Sequence, residues 1–269
     1  MSTISVERKA PSFELSRVPK WLQTTGSLLA AALIWEVVGR FFVISPILFV
    51  PLSAVFRRGF ELWSLGELQE HVWVSFIEFL GGFGLAASVG ILFGALLASS
   101  RILKNFFEPW VSMLYATPVI ALGPLFVLWL GIGVGSKIAI IFLTAVFPIL
   151  INTIVGLTTT DRTLLEVGRA FGAKRLSTFT KIRLPAAMPF VIAGLRLGVA
   201  RALVGVVVAE LFGSRAGLGF MILNSAQNFD TAALYVGVLI LAAAGITCVE
   251  LLKLLERKLA PWRFDEEEE

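Results

Sequence analysis

The chain has 269 residues, of which 57% are apolar and 16% charged, and its 23 basic and 19 acidic side chains leave a formal charge of +4. Soluble domains carry about a quarter charged residues, so this chain has too few to wet a globular surface. A water-soluble single-domain enzyme is excluded, and so is a disulfide scaffold, because Cys248 has no partner. Five of the acids fall in Asp265–Glu269, so the rest of the chain is strongly basic. In so apolar a sequence that excess reads as loop charge set by membrane orientation, not as a footprint for nucleic acid.

A helix that crosses a bilayer needs about 20 mostly apolar residues. Six stretches qualify: 23–45, 72–99, 106–130, 136–157, 187–212 and 231–255. The expectation is an all-α membrane protein with six transmembrane helices. Residues 1–22 form a polar, basic lead with Arg8, Lys9, Arg17 and Lys20. The apolar run behind it is too long for a signal-peptide core, so it is read as a retained anchor. A β-barrel would show short alternating segments of about ten residues, and the runs here are continuous. Residues 46–70 form an outside segment with Pro46 and Pro51, where Phe56, Phe60 and Trp63 recur at helical spacing, as on a helix lying in the interface. A core of five further helices spans 71–256, interrupted by an inside loop at 158–186, and 257–269 is an acidic tail.

Basic residues orient the chain. With the N-terminus inside, sixteen Lys and Arg fall in inner segments and five (Arg40, Arg57, Arg58, Lys137, Arg215) outside or at the outer boundary. The ratio selects N-in, C-in. Small residues recur four apart at Gly90, Gly94 and Ala98 and again at Gly194 and Gly198, a spacing that lets helix backbones approach closely in lipid. Pro118 and Pro124 break or kink the third span, and Pro148 interrupts the fourth. Irregular backbone at membrane depth is tolerated where it is buried in protein or lines a cavity, so Thr117-Pro118 is read as part of a pathway wall.

The inside loop has structure of its own. Thr163 and Glu166 stand in capping-box spacing, with Asp161 as an alternative cap. Leu164, Gly168 and Phe171 follow at helical spacing, Gly172 is a stop, and Pro185 marks the start of the fifth span. A short capped helix with one apolar side, held outside the lipid, suits a partner's groove.

Glu166-Val167-Gly168, three residues, Gly172, nine residues, then Ile182-Arg183-Leu184-Pro185 resembles the signature loop of bacterial ABC importer permeases. Val167 and Gly168 stand where that family usually has alanines. The likeness extends through Phe147-Pro148-Ile149-Leu150-Ile151-Asn152-Thr153, Gly194-Leu195-Arg196, and Ala209-Glu210 followed by Gly217-Leu218-Gly219. The whole resembles the nitrate, sulfonate, taurine and bicarbonate branch of the type I permeases.

That resemblance implies an inner-membrane importer subunit. Two permease copies pair around the pathway, two separate ATPase subunits bind beneath, and a periplasmic or lipid-anchored binding protein delivers solute. It implies that Glu166, Val167, Gly168, Phe171, Gly172 and Ala173 form the ATPase-coupling element, with Gly168 facing the ATPase cleft and Ile182, Leu184 and Pro185 closing the signature. It implies no enzyme activity and no cofactor in this chain, ATP and Mg being held by the partner. No Gly-x4-Gly-Lys-Ser/Thr loop is present, and Gly131 to Lys137 is a turn between spans. A secondary transporter is the alternative; it would ordinarily show repeated halves with matching broken helices, and neither is visible.

Charges inside the spans are functional candidates by default. Arg196 and Glu210, about 40° apart on a helix and about 21 Å along it, share a face. Two readings stand: Arg196 neutralises an anionic solute while Glu210 belongs to an outer gate, or each is paired structurally with a neighbouring helix. Arg201 is turned about 140° away from Arg196. Glu78 pairs with an arginine, and Glu36 and Glu250 lie near span ends. His71, with no metal partner, stands at a helix start, and Trp21, Trp63, Trp73, Trp110 and Trp262 belong to interfacial belts.

Overall fold

The computed structural model describes residues 19–42, 45 and 47–262, with the side chains of Lys20 and Trp21 excepted. Arg8, Lys9, Arg17, Pro46, Arg263 and the acidic run 265–269 lie outside the described residues.

Every regular element among the described residues is helical. Helix α1 (Lys20–Val37) continues through a π-turn to Phe42, and α2 (Leu52–Ser64) follows. The long α3 (Glu67–Ser99) leads to α4 (Arg101–Ala116), a 3-10 turn (Val119–Leu122) and α5 (Gly123–Leu130). Next come α6 (Val134–Thr158), α7 (Arg162–Ala170) and α8 (Arg175–Thr178), then a π-turn (Phe179–Arg183) that runs into α9 (Leu184–Leu211). Helices α10 (Leu218–Gln227) and α11 (Thr231–Leu259) end the chain. Five continuous segments are long and apolar enough to span: Leu22–Phe42, Glu67–Ser99, Val134–Thr158, Arg175–Leu211 and Thr231–Leu259. The sixth is α4 with the segment to Leu130, bent by 80° at the break.

That bend is the one the prolines demand. Thr117 is extended and Pro118 has no N–H, so α4 stops there. Pro124 then sits in the first turn of α5, where its missing donor costs nothing. Pro148 behaves otherwise. The expected interruption does not occur, and α6 runs unbroken through it. The lost bond is local, the Asn152 amide donates to the Pro148 carbonyl at 2.8 Å, and α3 and α9 pack on either side.

Glycine sets that packing. A Cβ on Gly82 would lie 2.5 Å from Ile141 Cβ, one on Gly90 2.9 Å from Ile149, and one on Gly94 2.9 Å from Thr153. The numbers rise together, so α3 and α6 run in the same direction. From the other side Gly156 meets Phe190 and Ala187, Gly194 meets Asn152, and Gly205 meets Thr144. Here they run in opposition, so α9 is antiparallel to α6. These directions are those of spans that alternate in chain order, whichever side the N-terminus occupies. The core (Ala86, Ile140, Ile141, Ala145, Ile149, Ala202, Ala209) is the seam of these three helices.

A second cluster closes the outer end, where Val55 and Leu62 of α2 meet Leu218, Met221 and Val236. Arg58 binds Asp230 at 2.9 Å, and Asp230 caps α11 through Ala233 N. Phe56, Phe60 and Trp63 face outward, as an interfacial helix requires.

Gly82→Leu should separate α3 from α6, at an overpacking cost of about 1–3 kcal/mol or more. Gly84→Ala, with nothing within 4 Å of the new Cβ, is the neutral control. Thermal unfolding of the detergent-purified chain should drop for the first and hold for the second.

Candidate docking loop and transmembrane charges

The loop after α6 is a rigid, self-capped unit. Asp161, not the Thr163–Glu166 box, caps α7, its carboxylate accepting from Thr163 N at 2.8 Å. At the other end Gly172 takes φ +73°, giving N–H bonds from Gly172 to Arg169 O and from Ala173 to Gly168 O, both 2.9 Å. This pair is a Schellman motif, the stop that a left-handed glycine allows. Pro185 has no N–H to offer Lys181, and the helix ahead of it widens into a π-turn before continuing as α9.

One expectation is corrected here. Gly168 is buried and faces its own loop: a Cβ there would stand 2.6 Å from Ile182 Cδ1. A helix only nine residues long must rest one side on something, and Gly168 is the side that rests. What faces outward is Leu164, Val167 and Phe171, at i, i+3 and i+7, with Phe171 87% exposed. Glu166 and Gly172 are also exposed, Ala173 and Ile182 are half-buried, and Leu184 is exposed beside half-buried Pro185.

Inside the membrane almost every charge has a partner. Lys137, expected at the outer boundary, is buried in the first turn of α6; its ammonium donates to Glu78 Oε1 and Ser214 Oγ, each at 2.6 Å. Glu78 therefore pairs with lysine, not arginine. The place of Lys137 at the end of the span is the one expected; the burial and the partners are not, because a residue at a helix start looks like a loop residue in sequence. Arg196 is taken by Glu256 of α11, the structural alternative for this side chain. Glu36 pairs with Arg40 and Glu250 with Lys253.

Glu210 is the most connected. Its Oε1 accepts from Ser75 Oγ at 2.5 Å, and Oε2 accepts from Gly219 N at 2.5 Å and Phe220 N at 3.2 Å. Ser75 Oγ accepts from Leu218 N at 2.7 Å, and His71 Nδ1 accepts from Gly217 N at 3.1 Å. The four leading N–H groups of α10, which no helix can satisfy internally, are thus all met by side chains of α3 and α9. Gly217, at φ +124°, and Gly219 are required because a Cβ on the first would enter the Glu210 carboxylate and one on the second would lie 2.8 Å from Val207 Cα. Sequence reasoning left His71 and Ser75 without this role; the only hint was Ser75 four residues after His71, on one face.

Thr117 and Pro118 stand at the break of the third span, Thr117 Oγ1 donating to Met113 O at 2.9 Å. Arg201 is exposed on α9.

Six apolar spans around a glycine-packed seam, with a capped helix presented at the inner end, define a membrane transport permease of the all-α type I architecture. The chain belongs to the family described as binding-protein-dependent transport system inner membrane component, which matches residues 90–264. It is 38% identical over 246 residues to the putative aliphatic sulfonates transport permease protein SsuC of Bacillus subtilis (strain 168), covering 90% of this chain and 88% of that one. It is 34% identical over 218 residues to the riboflavin transport system permease protein RibX of Chloroflexus aurantiacus, covering 81% of each. The formylaminopyrimidine transport permease protein ThiX of Halalkalibacterium halodurans is 31% identical over 242 residues, 90% of this chain and 96% of that one. The protein is accordingly an inner-membrane, multi-pass permease component of an ABC importer for small solutes.

Removing one member of a buried ion pair costs about 3–5 kcal/mol, whereas replacing both by apolar groups is often near neutral. Lys137→Met should therefore lower the unfolding temperature sharply, and Glu78→Leu combined with it should recover most of the loss.

Proposed function

We propose that this chain is one of two identical permease subunits of an importer whose solute is a small anion such as a sulfonate, taurine or nitrate, or a small heteroaromatic compound. α7 is the coupling helix, and each of the two permease copies seats its own in a cleft on one of two separate ATPase subunits, which bind ATP and Mg. The outer end, built from α2, α10 and the start of α11, receives a periplasmic or lipid-anchored binding protein loaded with solute. No catalytic residue belongs to this chain in that scheme.

The observation that carries the reading is the outward face of α7. Leu164, Val167 and Phe171 project from a helix with polar neighbours, at the charge-selected inner side and away from the spans. Exposed apolar side chains at one-turn spacing on a rigid, capped helix are the pattern by which a helix fills a groove. Glu166 beside them adds a charge at the rim, while Gly172 and Ala173 fix the helix end. Gly168 contributes indirectly, by letting α7 lie close on Ile182.

Aromatic side chains at the centre of an interface commonly carry 2 kcal/mol or more when removed, by about that order. Phe171→Glu should lower ATPase co-purification by at least about tenfold while leaving insertion unchanged, and Arg57→Glu on the opposite side should not. Normal ATPase capture by the Phe171 variant would refute the docking role of α7.

A further inference from the structure

We infer that Arg201 is an anion-binding residue of the solute pathway, holding a sulfonate, carboxylate or similar oxyanion group of the transported solute halfway across the membrane. This rests on the importer reading and specifies its solute class and site.

Depth comes first. α9 is 28 residues long, about 42 Å at 1.5 Å per residue, and Arg201 lies about 5 Å from its middle. Packing fixes the level independently. Gly198 rests on Ile149 and Gly205 on Thr144 and Ile141, so Arg201 lies level with the centre of α6. From there the side chain cannot reach either interface of a hydrocarbon layer about 30 Å thick.

Pairing is the second observation. On the described transmembrane helices Glu36, Glu78, Arg196 and Glu250 each have an ionic partner, and Glu210 is met by backbone N–H groups and Ser75. Arg201 is exposed and makes no hydrogen bond or ion pair with any other described residue. A guanidinium facing hydrocarbon at that depth is strongly disfavoured, so the surface it occupies is not a lipid surface.

The surroundings give that surface its character. Arg201 lies on a strip of α9 with Leu197, Ala200 and Val204, all exposed. Along one edge of the strip, α6 presents the half-buried polar side chains Thr144 and Asn152, which touch α9 at Gly205 and Gly194. Thr144 Oγ1 donates to the carbonyls of its own helix and the Asn152 amide to Pro148 O, so on this otherwise apolar wall the guanidinium is the group that supplies donors to a small organic anion. The planar guanidinium offers paired donors that match such an oxyanion.

The test uses the full importer assembly in both right-side-out and inside-out membrane vesicles, on a Cys248→Ser background. Single cysteines replace Leu197 or Val204, and each is treated with the anionic reagent 2-sulfonatoethyl methanethiosulfonate or its cationic trimethylammonium counterpart. The anion should react faster from one side by about tenfold relative to a free thiol reference, the scale on which a positive cleft concentrates anions. Arg201→Gln should abolish that preference and Arg201→Lys retain it. Cysteines as inert as Leu92→Cys on the apolar face of α3 would overturn the inference, since the strip would then be covered. So would a reactivity ratio that Arg201→Gln leaves unchanged, the result expected if a carboxylate of a second copy already neutralises Arg201. ATPase co-purification, scored on the parent chain in parallel, separates a failure here from a failure of the importer reading.

Discussion

The hold of the Glu210 carboxylate on the start of α10 is the contact on which the outer half of the molecule depends. A helix that begins inside a membrane protein exposes four N–H groups with no water to meet them. Here one carboxylate, one hydroxyl and one imidazole, from two different spans, meet Gly217 to Phe220. Because Ser75 and His71 belong to α3 and Glu210 to α9, the cap joins both to the chain reversal leading into α11. Lys137, drawn between Glu78 and Ser214, adds the start of α6 to the same knot. Polar groups that would be prohibitive singly in lipid become the fastening of four helices when they meet one another.

Below that knot the structure relies on closeness, not charge. Lipid gives no hydrophobic drive between helices, so association depends on contact area at short range. Gly82, Gly90 and Gly94 on one side of α6, and Gly194, Gly198 and Gly205 on the other, remove the side chains that would hold the backbones apart. Enclosure is not what decides whether a proline breaks a helix: α6 runs through Pro148 between two neighbours, α4 runs through Pro109 with none of its residues buried, and the third span breaks at Pro118 where Thr117 is extended.

The spans, the break at Pro118, the interfacial α2 and the capped α7 were legible in the sequence because each follows from local pattern: run length, a missing N–H, one apolar face, a cap and a glycine. Partners were not. Lys137 read as a boundary residue, and nothing in the sequence joins it to Glu78, 59 residues away. Arg196 and Glu256, 60 residues apart, are in the same position. The direction of Gly168 was misread for a related reason: spacing says that it shares a face with Leu164 and Phe171, but only the return of the chain at Ile182 shows which side of α7 is covered.

That return also decides how the two ends of the molecule are connected. α7 rests through Gly168 on Ile182, which lies in the π-turn of one continuous helical segment, Arg175–Leu211. The segment carries in sequence the Arg196 bond to α11, Arg201 at mid-membrane, the Gly205 contact with α6, and Glu210 at the outer cap. Helices resist bending, and the hydrogen bonding of this one is interrupted near its inner end by the π-turn, Pro185 and Pro189. A displacement of α7 is therefore either absorbed in that stretch or delivered along the rest of α9. In the second case it reaches Arg201 and the Glu210 cap together, because no break lies between them.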